Sequence, residues 1–247
     1  MSDEKFKFPT EVVELPSKGL VYPEDNPLAE GKIVMKYMTA KEEDILTNQN
    51  YIKNGTVIDE LLKSLIVSKI NYNDLIVGDK NAIMIAARIL GYGKEYSFKY
   101  NDEEVMIDLS ELNHVVFDES QYTKGKNEFS FTLPTTEVTL TYKLLNHGDE
   151  AQIDKEVKGL KRLNKNASPE VSTRLKHMII SVNEDNDRKS IRDFVDDHFL
   201  ARDTRAFREH LKTTQPDVDL TFFPENGEGD QVTIPINLNF FWPDAQI

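Results

Sequence analysis

Residues 32–42, KIVMKYMTAKE, decide the fold, because they combine a strand with the start of a helix. Apolar residues cluster in 32–38 with β-branched residues at the centre, which is typical of a strand. Thr39 and Glu42 then have the spacing of a capping box, in which the Thr39 hydroxyl accepts from the Glu42 amide and the Glu42 carboxylate reaches back. The pattern predicts a short helix to about Leu46, and hence a fold that mixes strands and helices.

Upstream of this stretch, residues 1–30 are predicted to form an extended arm. Several prolines interrupt it, and each one fixes φ and removes a backbone donor. Residues 16–19, PSKG, are typical of a turn, with proline early and glycine last. The arm is therefore expected to form a short hairpin, or a strap that lies over the body of the protein. Its prolines are Pro9, Pro16, Pro23 and Pro27.

Downstream, helices and hairpins follow one another in two similar series. The first series contains a helix that Asp79 is predicted to cap, and a hairpin at 96–109. The polar residues 117–127, FDESQYTKGKN, are predicted to be a linker. A strand at 137–142, further amphipathic helices and a last hairpin closed by PENGEGD (224–230) form the second series.

The predicted fold class is therefore α+β, mostly helical with short antiparallel hairpins. The predicted domains are the arm 1–30, a first α+β unit at 31–116 and a second at 128–247. Each unit has the order strand, acid-capped helix, further helices, hairpin. One interpretation is an internal duplication of about 90–110 residues. Because identity between the halves is slight, a coincidence of element order is the alternative.

Composition excludes several classes of protein. The chain has 247 residues, a net charge of −13 and no cysteine, so it can form neither a disulfide framework nor a cysteine zinc site. No apolar run reaches the roughly 18–20 residues of a membrane span, and the charged N-terminus does not resemble a secretory signal. The negative charge disfavours binding to a phosphate backbone. We expect a soluble, acidic protein of cytosolic type that binds neither nucleic acid nor membrane.

No catalytic or metal-binding constellation is evident. No two of the five histidines stand three or four positions apart, the spacing that places two ligands on one helix face. Residues 91–94, GYGK, lack the frame of a phosphate-binding loop, and 225–230 lack that of a calcium loop. We therefore predict no catalytic residue, no metal and no cofactor. The alternative is a hydrolase or transferase that uses scattered carboxylates, which would need a pocket where a carboxyl pKa is raised.

The C-terminal segment LNFFWPD (238–244) is the most conspicuous candidate for a binding surface. In a strand, Phe241 would face away from Phe240 and Trp242. One side could pack on the core, and the other would need cover from this chain or from a partner. A core-closing strand and a partner surface both remain open. The candidate interface residues, here and in the last hairpin and the arm, are Pro16, Tyr22, Phe222, Phe223, Phe240, Phe241 and Trp242.

Several short segments together resemble one protein family. They are LPSKG (15–19) with Tyr22 and Pro23, the strand with TAKEEDIL (39–46), RILGYG (88–93), and FFWP (240–243). In this order and at this total length, the chain resembles the baseplate hub and hub-assembly proteins of T-even-type contractile-tailed bacteriophages. The resemblance is distributed over most of the chain.

The resemblance implies a role without enzymatic activity. The chain would be a hub component, or an assembly catalyst that is not retained in the virion. Its partners would be other phage tail or baseplate hub proteins, with a homo-oligomer as a further option. It would reside in the host cytoplasm during assembly, and in the tail baseplate of the virion if it is built in. Related tail proteins often have a cysteine pair in each hairpin, but the hairpin tips at 100–104 and 223–230 have none.

Overall fold

The computed structural model describes residues 9–165, 168–223 and 231–242, and it has the predicted α+β fold, with helices and short antiparallel sheets of two or three strands. The helices are α1 Ala40–Leu46, α2 Gln49–Asn54, α3 Val57–Leu65, α4 Val77–Tyr92, α5 His147–Leu163, α6 Glu170–Met178, α7 Arg188–Asp193, α8 Ala201–Thr214 and α9 Leu238–Phe241. The strands are β1 Thr10–Glu14, β2 Lys32–Lys36, β3 Glu95–Tyr100, β4 Glu103–Asp108, β5 Phe129–Thr132, β6 Thr139–Tyr142, β7 Ile179–Val182, β8 Thr221–Phe222 and β9 Val232–Thr233. None of the helices within these residues has the length and apolar character that crossing a membrane requires.

Most of the predicted arm, 1–30, packs on the first unit. Strand β1 pairs antiparallel with β2 along its whole length. The strap between the two strands buries Leu15, Val21, Tyr22 and Leu28 in the core. These side chains remove apolar surface from water, so the strap contributes to folding rather than lying loosely over the body. Residues 1–8 lie outside the described part of the chain.

The carboxylate of Glu42 fixes the join between β2 and α1. It accepts hydrogen bonds from the Thr39 amide (3.0 Å) and hydroxyl (2.6 Å), so it reaches back as the capping box predicts. Its other oxygen accepts from Lys36 Nζ and Ser64 Oγ, both at 2.7 Å. Burial alone would raise the pKa of Glu42, but these hydrogen bonds outweigh it and lower the pKa to about 2.

Replacing Glu42 by glutamine is expected to reduce the acid sensitivity of the fold. The pKa of this carboxyl is about 2 in the folded chain, below its ordinary 4.5. Its stabilising contribution is therefore present above pH 4.5 and is lost as the pH falls towards 2. Urea unfolding at about pH 3 and about pH 7 should show a larger loss of unfolding free energy in the wild type than in E42Q. The exposed neighbour Asp44, changed to asparagine, is the control. Equal losses in wild type and E42Q would contradict the assignment.

The second half repeats this join with the same spacing. Lys143, directly after β6, contacts both oxygens of Asp149, at 2.7 and 2.8 Å. Asn146 and Asp149 exchange backbone-to-side-chain hydrogen bonds at the start of α5. Lys143, Asn146 and Asp149 thus stand where Lys36, Thr39 and Glu42 stand in the first half. In the second half, β6 pairs with β7, the strand that follows helices α5 and α6. In the first half, β2 likewise forms an isolated bridge with a residue that follows α3.

A second contact is also repeated, between a leucine–proline turn and an aspartate. Asp79 is the third residue of α4, where it accepts from the Ser17 amide (2.9 Å) and hydroxyl (2.7 Å). Asp203 is the third residue of α8, where it accepts from the Thr135 amide (2.8 Å) and the Thr136 hydroxyl (2.9 Å). Both turns follow the first strand of a half, at LPS (15–17) and LPTT (133–136). These repeated contacts support the predicted internal repeat.

One hydrophobic core spans both halves. The halves join where the Val77 amide donates to the Leu145 carbonyl (3.1 Å) and the His147 amide donates to the Leu75 carbonyl (2.8 Å). The predicted linker, 117–127, contains a short 3-10 helix and packs on both halves. Its Gly125 amide donates to Leu20 at 2.8 Å, and its Tyr122 hydroxyl donates to the Thr214 carbonyl. The two predicted units therefore share a single interior.

Candidate functional site

An open groove of about 690 Å³ lies between strand β4 and the hairpin formed by β8 and β9. Its apolar lining comes from both hairpins, with Val105 and Met106 on β4 and Phe222, Phe223 and Ile234 opposite. Two of these side chains are mostly exposed, Met106 at 67% and Phe223 at 69%. Large apolar side chains that stand together at the surface are typical of sites that bind another molecule.

The rim of the groove is acidic. Glu103, Glu104, Asp108 and Glu111 line it, and no lysine, arginine or histidine lines it among the described residues. Lys94 forms an ion pair with Asp108 at 2.7 Å, and this contact, together with hydrogen bonds from the Ser110 hydroxyl and amide, lowers the pKa of that carboxyl to about 2. The remaining glutamates give the groove a negative potential, which favours a positively charged ligand.

A tight turn and aromatic packing position the first hairpin. Asn101 and Asp102 both have positive φ, 50° and 64°, as two-residue hairpin turns require. The Phe98 ring meets Phe222 edge to face, with centroids 5.4 Å apart. Tyr96 meets Phe240 in the same way at 4.8 Å. The inner face of the first hairpin is thereby held against β8 and α9, and its outer edge remains along the groove.

The structure separates the seven predicted interface residues into two groups. Phe222 is half-buried and Phe223 is exposed, and both line the groove. The other five lie away from it. Pro16, Tyr22, Phe240 and Phe241 are buried in the core of this chain, and Trp242 is half-buried against it.

Within the C-terminal segment, Leu238–Phe241 form helix α9, so the prediction of a strand there is wrong. The Asn237 side chain caps α9 by accepting from the amides of Asn239 (2.9 Å) and Phe240 (3.3 Å). Asparagine is a preferred cap residue, and this signal in the sequence was missed. Phe240 and Phe241 both have 0% exposure, which agrees with the alternative that the segment closes the core. Residues 243–247 and the turn 224–230 lie outside the described residues.

A polar cluster joins three helices at the seam between the halves. Asp59 Oδ1 accepts from Lys80 Nζ (2.6 Å) and from the Tyr72 hydroxyl (2.9 Å). His147 Nδ1 lies 3.3 Å from Lys80 Nζ, and burial followed by the Lys80 charge lowers the pKa of this histidine. Each of these groups is engaged by another within the cluster. The arrangement therefore ties α3, α4 and α5 together.

Burial raises the pKa of two carboxyls among the described residues: Asp217, which is partly buried and accepts from the Asn81 amide group at 2.8 Å, and Asp79, which is sealed in the core. Burial is the main cause that raises the pKa of Asp79 to about 6. Asp79 has 0% exposure and accepts from the Tyr22 hydroxyl (2.6 Å) in addition to Ser17. A substrate cannot reach a carboxylate that is enclosed and occupied in this way. Within the described residues, no group of three or more acidic, histidine or cysteine side chains could hold a metal ion.

Comparisons with protein-family models, with curated proteins and with solved structures each found no match. The groove is characterised by its own geometry, as a surface that combines exposed apolar side chains with an acidic rim.

Proposed function

We propose that this chain is a structural or assembly protein that acts by binding other proteins, and that its setting is the baseplate hub of a contractile-tailed phage. The observation that carries the binding function is the groove, which exposes Met106 and Phe223 within an acidic rim. Apolar side chains anchor protein interfaces, and charge around them steers the partner.

The phage setting is supported by the resemblance of the short segments, and the structure shows what those residues do in this chain. Ser17 in LPSKG binds Asp79, and Glu42 in TAKEEDIL fixes the start of α1. Arg88 in RILGYG donates to the carbonyls of Gly93 (2.8 Å) and Glu95 (3.0 Å), which closes the turn before β3. The residues of these segments stabilise the fold, so the resemblance supports an expectation about architecture. The expectation about binding is supported by the groove.

Two roles in the hub differ in whether the chain stays in the particle. A hub component remains at a fixed copy number, whereas an assembly catalyst leaves. Quantitative mass spectrometry of purified phage particles, beside a pull-down from infected-cell lysate, separates them. Detection at a fixed copy number would support the first role. Absence from particles, with tail proteins in the pull-down, would support the second. Failure to find tail proteins in either sample would overturn the phage setting.

A further inference from the structure

We propose that the groove takes an extended segment of a partner protein, which adds a strand to the free edge of β4 and alternates basic with apolar residues. This inference rests on the proposed protein-binding function and specifies the chemistry of the partner. It follows from three features of the hairpin: its backbone, its side-chain faces and its charge.

The backbone of β4 offers hydrogen-bonding groups to a neighbour. Strands β3 and β4 form a two-stranded sheet. The Leu109 amide donates to the Lys94 carbonyl at 2.8 Å, so this pair is one of the hydrogen-bonded pairs of the ladder. Such pairs alternate with non-bonded ones. The amides and carbonyls of Glu104 and Met106 therefore point away from β3, along an edge that has no paired strand among the described residues.

The side chains around this edge set the pattern of the segment. Val105 and Ile107 lie on the inner face of β4, where the groove continues to Phe222 and Ile234. Successive residues of an added strand would face opposite sides. Every second side chain would enter the groove beside Val105 and Ile107, and the others would lie on the outer face, where Glu104 and Met106 border the groove. Strand addition of this kind draws affinity from the backbone and specificity from alternate side chains.

Charge distinguishes a basic partner from a second copy of this chain. Among the described residues, Asp108 is paired with Lys94, whereas no ion pair joins Glu103, Glu104 or Glu111 to a base. Two β4 edges brought together would set these glutamates against each other, and acidic residues on an edge discourage such self-pairing. The same carboxylates attract lysine or arginine on an incoming strand, so the proposal commits to a basic segment.

The test uses the full chain and a labelled ten-residue peptide that alternates lysine with valine. Fluorescence anisotropy should show binding that weakens as salt is added. A peptide with five lysines followed by five valines, and an alternating glutamate–valine peptide, should bind at least about tenfold more weakly. Methylation of the alternate amide nitrogens that would face β4 should also abolish binding, because it removes the backbone donors of the added strand.

Two variants locate the contact. Met106→Pro removes an edge amide that β3 does not use, and is expected to weaken binding by about tenfold or more. Its matched control is Ser97→Pro, directly opposite on β3, which should bind as the wild type does. The double variant Glu104→Lys with Glu111→Lys changes only exposed side chains and should abolish the salt-dependent part of binding even if Met106→Pro fails to fold.

The outcomes separate this inference from the proposed function. Equal binding of the alternating and block peptides, or equal loss in both proline variants, would overturn strand addition. A dimer in sedimentation that Met106→Pro dissociates, without peptide binding, would also overturn it and assign the edge to a second copy. Recovery of tail proteins by Met106→Pro at wild-type levels would refute the groove while leaving the phage setting intact.

Discussion

Asp79→Ala is expected to lower the free energy of unfolding by about 3–5 kcal/mol at neutral pH, one of the largest effects of any single substitution in this chain. The substitution leaves three buried donors without their acceptor: the Ser17 amide, the Ser17 hydroxyl and the Tyr22 hydroxyl. Each unsatisfied buried group costs about 1–3 kcal/mol. Urea unfolding followed by circular dichroism measures the loss.

Two controls show whether the hydrogen bonds cause this loss. Asp74→Ala removes a half-buried carboxylate near the start of α4 that accepts from the side chains of Asn26 and Asn71, and should cost less. Asp203→Ala removes the corresponding acceptor in the second half and should cost a comparable amount if the two contacts are equivalent. A loss below about 1 kcal/mol for Asp79→Ala would contradict the proposed role of the cluster.

The same carboxyl should make the fold more stable in mild acid. Burial raises the pKa of Asp79 from 3.8 to about 6, so the folded chain binds the proton more tightly than the unfolded chain does. This contribution is complete below pH 3.8 and is lost as the pH rises through 6. The difference in unfolding free energy between wild type and Asp79→Asn should therefore change by on the order of 2–3 kcal/mol between pH 4 and pH 7. Parallel pH curves for the two proteins would exclude the raised pKa.

Local signals in the sequence predicted the parts of the fold that depend on a few consecutive residues. The capping box at Thr39 and Glu42 is confirmed, and so is the turn at PSKG, where Gly19 has φ of 77°. A Cβ atom at Gly19 would lie 2.4 Å from the Ala29 carbonyl oxygen, so the turn requires glycine there. Such features are encoded by spacing and backbone preference alone.

Contacts between distant residues could not be predicted in this way. Asp79 was expected to cap a helix, but Ile76 stands at the cap position and the Asp79 carboxylate binds Ser17, 62 positions away in the chain. The groove depends on two hairpins that meet through Phe98 and Phe222. No local signal in the sequence predicts that the two hairpins meet. Met106 was therefore not among the candidate residues, even though it lies on the same exposed face of β4 as Glu104.

The C-terminal aromatics allow the two alternatives for the segment to be separated by stability. Phe240→Ala is expected to lower the free energy of unfolding by about 3–5 kcal/mol, because the ring has 0% exposure and packs edge to face on Tyr96 and Phe241. The matched control is Phe223→Ala, which truncates a ring that is 69% exposed and should change stability by less than about 0.5 kcal/mol.

Peptide binding should be weakened more by Phe223→Ala than by Phe240→Ala, which is the reverse of their effects on stability. Phe223 lines the groove, so its truncation should weaken binding of the alternating lysine–valine peptide while the fold remains intact. Phe240 supports the hairpin from behind through Tyr96, so its truncation should affect the peptide only under conditions in which the protein begins to unfold. Urea titrations of both variants, with peptide affinity measured below each transition, test this separation. If Phe240→Ala left stability unchanged but abolished binding, the C-terminal segment would be the partner surface, and the groove would lose its role as the main binding site.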